Sequence, residues 1–250
     1  MQIFSPGNWK RQVVLAAAFS IGMASVALAA NPNLVLNGGF EQTLINSSAQ
    51  FGSSYPTQQV TSWSTAGYNF VFKSGTADNG GGTGTYGNVQ LWGPNNGSAN
   101  GLTAASPLGG NFIAADGGFE VSPITQTING LAAGERVEVS FYWAGAQQSG
   151  FLGANTEKWQ VSLGSSTQST AIVNNASKGF TGWMYQTFTF VTTVANPVLS
   201  FLAVGTPTGQ PPFALLDGVS VTVVPEPATG SLMLAGIAGL IGLSRRRRSA

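Results

Sequence analysis

The chain has 250 residues, with ten Lys and Arg, nine Asp and Glu, and a formal net charge of +1. It contains no cysteine and no histidine, which excludes disulfides, Ser-His-Asp and Cys-His nucleophile systems, and histidine-ligated zinc. Charged residues make up only 8% of the chain, whereas glycine accounts for 34 residues, a composition typical of short strands and tight turns.

The N-terminal segment has the parts of a secretory signal peptide. Lys10 and Arg11 form a positive region, residues 13–27 are almost continuously apolar, and Ala27-Leu28-Ala29 supplies the small residues that a signal peptidase needs. We expect residues 1–29 to form a signal helix that is cleaved after Ala29. An uncleaved N-terminal helix is the alternative, but Asn31-Pro32-Asn33 indicates a turn before the first strand.

Residues 30–224 are predicted to form one all-β domain. Residues 137–143, 187–191 and 219–223 alternate between apolar and polar side chains, the period of a strand with one buried face. Further strands are predicted at 33–37, 69–73, 88–92, 111–115, 124–128, 159–163 and 198–204. Because glycine-rich turns and no amphipathic helices separate these strands, we predict an antiparallel β-sandwich, with a jelly roll as its form. Trp63 and Trp143 are assigned to the core.

The predicted domain is acidic. It keeps four basic residues and eight acidic ones, a net charge of −4; the basic residues are Lys73, Arg136, Lys158 and Lys178. This leaves no basic patch for a phosphate backbone, so nucleic acid is not an expected partner.

Motifs for catalysis are scarce. Residues 82–87 match G-x-G-x-x-G, but no helix pattern follows, so a flexible loop is the better interpretation. Hydrolysis of glycosides by two carboxylates is a remote alternative, because five acids have no other assignment: Asp78, Glu120, Glu135, Glu138 and Glu157.

The C-terminal tail, residues 225–250, has three parts in a fixed order. Pro225-Glu226-Pro227 is followed by an uncharged stretch at 228–243 and by Arg245-Arg246-Arg247-Arg248. An apolar run ended by four arginines predicts a transmembrane helix whose basic end stays in the cytoplasm, which puts the preceding domain outside. A permanent one-helix tail anchor is one interpretation of this segment.

The same three parts resemble the PEP-CTERM sorting signal of Gram-negative bacteria. The resemblance implies recognition by an exosortase, a membrane enzyme that cleaves near the motif. The protein would then pass from an inner-membrane-anchored intermediate to the cell surface or the exopolysaccharide matrix.

The domain itself is similar to the galactose-binding-like jelly rolls of carbohydrate-binding modules and of many PEP-CTERM proteins. Its motifs lie, in order, at residues 33–41, 110–117, 124–128, 139–144 and 215–221. The resemblance implies a structural calcium between the first and last strands, with Glu41 and Asp217 as carboxylate ligands. Both acids could instead solvate or cap turns, and Asp116 is a less favoured ligand that also suits a plain turn. Gly218 replaces a polar residue of the family's closing motif.

Aromatic residues near strand ends are the candidates for ligand binding, because sugar rings present apolar CH patches that stack on aromatic faces. We single out Trp92, Tyr86 and Trp183; for each, ordinary packing is the competing interpretation. The predicted function is non-catalytic binding of exopolysaccharide by an exported surface or matrix protein. A structural matrix component without a defined ligand is the alternative, and a glycoside hydrolase is the remote one.

Overall fold

The structure is a computed structural model that describes residues 31–225. The predicted signal peptide and the predicted transmembrane segment with its arginine cluster lie outside the described residues, as do two residues of the Pro225-Glu226-Pro227 motif. Between residues 31 and 225, no helix has the length and apolar character needed to cross a bilayer.

Strands make up nearly all the regular structure of residues 31–225, joined by one turn of 3-10 helix at Pro94–Asn96. In chain order the strands are β1 (Ala49–Gln50), β2 (Asn69–Phe72), β3 (Gly82–Gly84), β4 (Gly87–Val89), β5 (Phe112–Asp116), β6 (Ile124–Thr127), β7 (Arg136–Gln147), β8 (Asn155–Leu163), β9 (Ser166–Ser169), β10 (Val173–Asn175), β11 (Met184–Val191), β12 (Val198–Thr206) and β13 (Pro212–Val223).

The strands form two sheets. The larger has eight strands in the order β11-β7-β13-β5-β2-β1-β3-β4, and the smaller has the order β10-β8-β12-β6, with β9 paired to β8. The named strands pair antiparallel except β1 and β3, which pair in parallel at Ala49 and Thr83. The predicted all-β antiparallel sandwich is therefore confirmed.

Side chains from both sheets meet in the main core. Phe201 of β12 packs edge-on against Phe141 of β7, with ring centroids 5.1 Å apart, and against Trp159 of β8 at 5.9 Å. Trp63 and Trp143 are 3% and 2% exposed, so their assignment to the core is confirmed. Burial of large aromatic side chains on both inner faces is the main stabilising contribution in a sandwich without disulfides.

The opposite face of the larger sheet is also covered. In β2, Val71 faces the main core, while Phe70 and Phe72 belong to a second apolar cluster with Leu91 and Leu102. Alternate side chains of a strand point to opposite faces, so a sheet covered on both faces requires consecutive apolar residues, as in Phe70-Val71-Phe72. The long connection between β2 and β5 thus packs onto the sheet.

Two strand predictions were wrong. Gly82–Gly84 is strand β3, not a flexible loop, and its glycines leave room for the Phe70 ring: a Cβ at Gly84 would lie 2.7 Å from that ring. Residues 33–37 form no strand. The Asn33 side chain accepts a hydrogen bond from the Val35 backbone, a local contact that competes with ladder pairing, although the Leu34 backbone still donates to Val221.

Candidate functional site

A concave site lies at the end of the larger sheet where β5 ends and β13 begins. Its volume is about 300 Å³, at the lower end of the range for small-molecule sites. We call it the aromatic cavity. Its lining residues are Tyr68, Tyr86, Asp116, Phe119, Gln148, Phe151, Thr208 and Pro211.

Three rings form one wall of the aromatic cavity. The centroids of Tyr68 and Phe119 are 5.4 Å apart, those of Tyr86 and Phe119 5.5 Å, and those of Tyr68 and Tyr86 5.9 Å. Tyr68 is buried, whereas Tyr86 is 62% exposed and Phe119 39%. The inner ring therefore supports two outer rings whose remaining surface is open to a ligand.

Asp116 supplies a buried carboxylate at the same place. It is 2% exposed, and its Oδ1 accepts hydrogen bonds from the backbone N–H groups of Gly118 at 2.8 Å and Phe119 at 3.1 Å. These bonds hold the turn that carries Phe119 into the cavity wall. Burial raises the pKa of Asp116 to about 7, although both backbone hydrogen bonds act in the opposite direction.

The hydroxyl group of Tyr68, next to Asp116, stays protonated at neutral pH. Burial raises the pKa of Tyr68 to about 12, and the nearby charges of Asp116 and Glu120 add to the rise. The aromatic cavity therefore offers neutral aromatic surface beside an ionisable acid. This combination suits a ligand that has both apolar faces and polar groups.

The three aromatic residues predicted from the sequence occupy different places. Tyr86 lines the aromatic cavity. Trp92 does not line it, but its Nε1 donates a 2.8 Å hydrogen bond to the Phe151 backbone, and Lys178 Nζ lies 4.5 Å from its ring centroid. Trp183 packs against Phe112 and Phe180 of the second apolar cluster.

Sequence reasoning missed Tyr68, Phe119 and Phe151. Phe119 follows Gly117-Gly118 and Phe151 follows Gly150. A large apolar residue inside a glycine-rich loop is a usable signal, because such a residue is exposed unless it packs in a site of its own. Tyr68 precedes β2 and gave no signal of this kind.

The structure brings the two predicted metal ligands close together. A Cβ placed at Gly39 would lie 3.8 Å from Asp217 Oδ1 and 4.0 Å from Glu41 Cγ. Glu41 Oε1 accepts a 2.7 Å hydrogen bond from the Asn111 backbone, and Asp217 Oδ2 accepts one from the Ser106 hydroxyl. Two carboxylates from the ends of the domain sequence thus meet beside the turn at residues 109–111.

Within the described residues, Asp217 is a buried carboxylate with one unpaired oxygen. It is fully buried, and its Oδ1 has no hydrogen-bond partner in the described part of the chain. Burial raises its pKa to about 7 and the charge of Glu41 raises it further, whereas hydrogen bonding from Ser106 and a weaker contact with the Gly218 backbone N–H lower it. An unpaired buried carboxylate is costly, and a cation would offset that cost.

The set of acidic ligands is small. Within residues 31–225 no group of three or more His, Cys, Asp and Glu side chains could hold a metal ion. Calcium prefers six to eight oxygens, so any calcium here would depend on backbone and hydroxyl oxygens as well. Gly218 has φ +62°, a left-handed conformation that side chains other than glycine rarely adopt. This conformation accounts for glycine where the similar family has a polar residue.

The described domain is a β-sandwich with an aromatic-lined concavity at one end of its larger sheet, and the family comparison concerns the tail that follows it. Residues 223–248 match the family model of the PEP-CTERM protein-sorting motif. The resemblance of the tail to this signal is therefore confirmed, and the motif indicates export through a membrane-anchored sorting intermediate.

One curated relative is Halomucin of Haloquadratum walsbyi, which is 28% identical over 217 residues. The match takes in 86% of this chain but only 2% of Halomucin. The chain therefore spans a very small part of the curated relative that it matches.

Solved structures with a related arrangement of strands include carbohydrate-binding modules. TmCBM61 in complex with beta-1,4-galactotriose has a TM-score of 0.44 at 14% identity, over 77% of this chain and 99% of that one. The CBM22-1 xylan-binding domain from Paenibacillus barcinonensis has a TM-score of 0.34 at 13% identity, over 75% and 97%. A cyclase from Fischerella sp. TAU has a TM-score of 0.48 at 14% identity, over 80% and 99%. All three likenesses are remote, and the sandwich is defined by its own strand pairing.

Proposed function

We propose that this protein is processed by signal peptidase and exosortase and reaches the cell surface or extracellular matrix. There its sandwich binds exopolysaccharide in the aromatic cavity without catalysis. The sorting motif supports the route, and the aromatic cavity supports the binding.

One observation carries the binding proposal: three partly exposed rings, Tyr86, Phe119 and Phe151, surround one concavity beside a buried carboxylate. Apolar residues that are exposed together in one patch mark an interaction site, whereas single exposed apolar residues are ordinary. Sugar rings stack their CH faces on aromatic faces and offer hydroxyls to carboxylates and amides. Asp116 and Gln148 are the polar groups of the cavity that would meet those hydroxyls.

The test is retention of the purified full chain, in detergent, on exopolysaccharide from the producing cells. Tyr86→Ala removes the most exposed ring of the cavity. Tyr185→Ala is the matched control, because Tyr185 is 59% exposed on β11 but lies outside the cavity. We expect retention to fall with Tyr86→Ala and to persist with Tyr185→Ala.

Other results of that test would favour the competing functions. If the wild-type chain is not retained, the structural matrix component is the better interpretation. If sugar is released from the polysaccharide in the same mixture, and Asp116→Asn abolishes the release, the glycoside hydrolase is favoured, since a buried acid of raised pKa is what a general acid requires.

The route has its own test. The mass of the protein recovered from the cell surface should match a species that begins after Ala29 and ends near Pro227. Replacement of Pro225-Glu226-Pro227 by three alanines should leave the tail attached and the protein in the membrane fraction. A full-length tail on wild-type protein at the surface would instead support the permanent anchor.

We further propose that Glu41 and Asp217 hold a structural calcium. Bound calcium would tie the turn that carries Glu41 to β13, so its removal should lower the melting temperature of the full chain. Asp217→Asn should abolish the response to calcium and chelator, whereas Glu138→Gln, on the solvent side of β7, should leave it intact. An unchanged wild-type melting temperature after chelation would refute the calcium site.

A further inference from the structure

The charged side chains in and beside the aromatic cavity are acidic. Asp116 is the one charged side chain among its eight lining residues. A second carboxylate stands beside the wall, since Glu120 Oε1 accepts a 2.6 Å hydrogen bond from the Tyr86 hydroxyl. The four basic residues of the described chain, Lys73, Arg136, Lys158 and Lys178, do not line the cavity.

Asp116 also keeps one oxygen free. Both hydrogen bonds from the backbone of the following turn go to Oδ1. Within residues 31–225, Oδ2 accepts no side-chain or backbone hydrogen bond, and the residue borders the cavity. A carboxylate oxygen in a site of low dielectric constant favours a charged partner over a neutral one, because the attraction is weakly screened there.

The ring wall favours the same kind of partner. An ammonium group that lies within about 6 Å of aromatic ring centroids is attracted by their negative faces. Tyr68, Tyr86 and Phe119 pack against one another with centroids 5.4–5.9 Å apart. They therefore form one continuous aromatic wall, and the exposed surface of Tyr86 and Phe119 is open to such a group. Rings plus a free carboxylate form an arrangement that binds a cation more strongly than a hydroxyl.

We infer that the aromatic cavity selects amino sugars with a free, protonated amino group, as in a hexosamine polymer from which N-acetyl groups have been removed. This inference rests on the proposed binding of polysaccharide in the same cavity. The ammonium group would pair with Asp116, and the sugar ring would stack on Tyr86. The acidic net charge of the domain favours approach of such a polycation.

The probes are two oligosaccharides of equal length, a glucosamine hexamer and an N-acetylglucosamine hexamer, titrated calorimetrically into the full chain in detergent. We expect the glucosamine hexamer to bind about tenfold more tightly, as one added charge contact of about 1.4 kcal/mol gives. Raising the salt concentration from about 0.02 M to about 0.5 M should lower the affinity for the glucosamine hexamer far more than the affinity for the N-acetylglucosamine hexamer.

Two acid variants locate the effect. Asp116→Asn keeps the acceptor for the turn but removes the charge, and it should reduce the tenfold preference to about twofold, the part that the aromatic wall alone supplies. Glu138→Gln removes one charge on β7 outside the cavity and should leave the preference unchanged. Equal affinity of the wild type for both hexamers, or an undiminished preference in Asp116→Asn, would overturn the inference. The proposed function would still be supported if the wild type retained native exopolysaccharide. If the wild-type chain bound neither hexamer and did not retain native exopolysaccharide, both this inference and the proposed function would be overturned.

Discussion

The hydroxyl of Tyr86 donates a 2.6 Å hydrogen bond to Glu120 Oε1, which fixes the edge of an otherwise exposed ring at the mouth of the aromatic cavity. The ring contacts Tyr68 and Phe119 on its inner side. A ring held in this way does not need to be ordered when a ligand arrives, which reduces the entropic cost of binding. The contributions of ring and hydroxyl can therefore be separated by substitution.

Tyr86→Phe keeps the stacking surface and removes only the hydrogen bond. We expect its affinity for exopolysaccharide to fall by no more than about threefold, whereas Tyr86→Ala should lose about tenfold, the equivalent of one stacking contact. Binding isotherms on immobilised exopolysaccharide measure both values. An equal loss in the two variants would show that the hydroxyl, and not the ring face, is what the ligand requires.

Trp183→Ala should change stability and not binding. The ring packs at 5.6 Å from Phe112, and its Nε1 donates a 3.0 Å hydrogen bond to the Thr103 hydroxyl. Removal of these contacts should lower the free energy of unfolding by about 2 kcal/mol, measured by denaturant titration. If exopolysaccharide affinity falls while stability is unchanged, Trp183 belongs to the binding surface, as the sequence interpretation had it.

Two adjacent glycines give a matched test of the proposed calcium site. Gly109 and Gly110 have φ +84° and +70°, so alanine is strained at both, at a cost of about 1 kcal/mol. A Cβ at Gly110 would also clash with Glu41 Oε1, whereas nothing lies within 4 Å of one at Gly109.

Gly110→Ala should therefore lower the melting temperature more than Gly109→Ala and should also abolish the stabilisation by added calcium. Thermal melts of both variants, with calcium and with chelator, provide the measurement. A calcium response that survives in Gly110→Ala would show that Glu41 is not a ligand.

Glu157 makes stability depend on pH. It is 1% exposed on β8, and neither carboxylate oxygen has a hydrogen-bond partner in the described residues. Burial raises its pKa from 4.5 to about 8. The nearby Asn175 amide lowers the pKa, although its contact with the carboxylate does not meet the geometry of a hydrogen bond. The folded state therefore holds this proton more tightly than the unfolded state. The stabilisation is complete below about pH 4.5 and is lost as the pH rises towards about 8.

Glu157→Gln removes this titration and keeps the shape of the side chain. We expect the free energy of unfolding of the wild type to fall between about pH 5 and about pH 8, and that of Glu157→Gln to fall less. A residual slope should remain from Asp116 and Asp217, whose pKa values are also raised. Urea titrations at several pH values test this, with Glu138→Gln as the control that should keep the wild-type slope.

The strands with a clear period of two could be predicted from the sequence. β7 and β11 run side by side with Phe141 opposite Gln186 and Phe188 opposite Val139, and their alternation reflects one buried face. β3 could not be predicted, because its glycines have no side chains to form a pattern. They are required by the Phe70 ring, which belongs to a different segment of the chain.

Only part of the candidate site could be predicted from the sequence, because only some of its residues lie in recognisable motifs. Glu41 and Asp217 come from recognisable motifs at the two ends of the domain, and the structure brings them together. The aromatic cavity instead collects residues from separate connections, between positions 68 and 211. Only the pairing of β5 with both β2 and β13 brings these connections to one end of the sheet.

Strand β13 begins at Pro212, next to the aromatic cavity, and ends at Val223, with a shift of register between Asp217 and Ser220. Twelve residues of extended chain cover roughly 35 Å. The aromatic cavity and the point where the described chain ends therefore lie near opposite ends of one strand. A label or surface linkage attached at Val224 would accordingly sit away from the cavity and leave its mouth unobstructed.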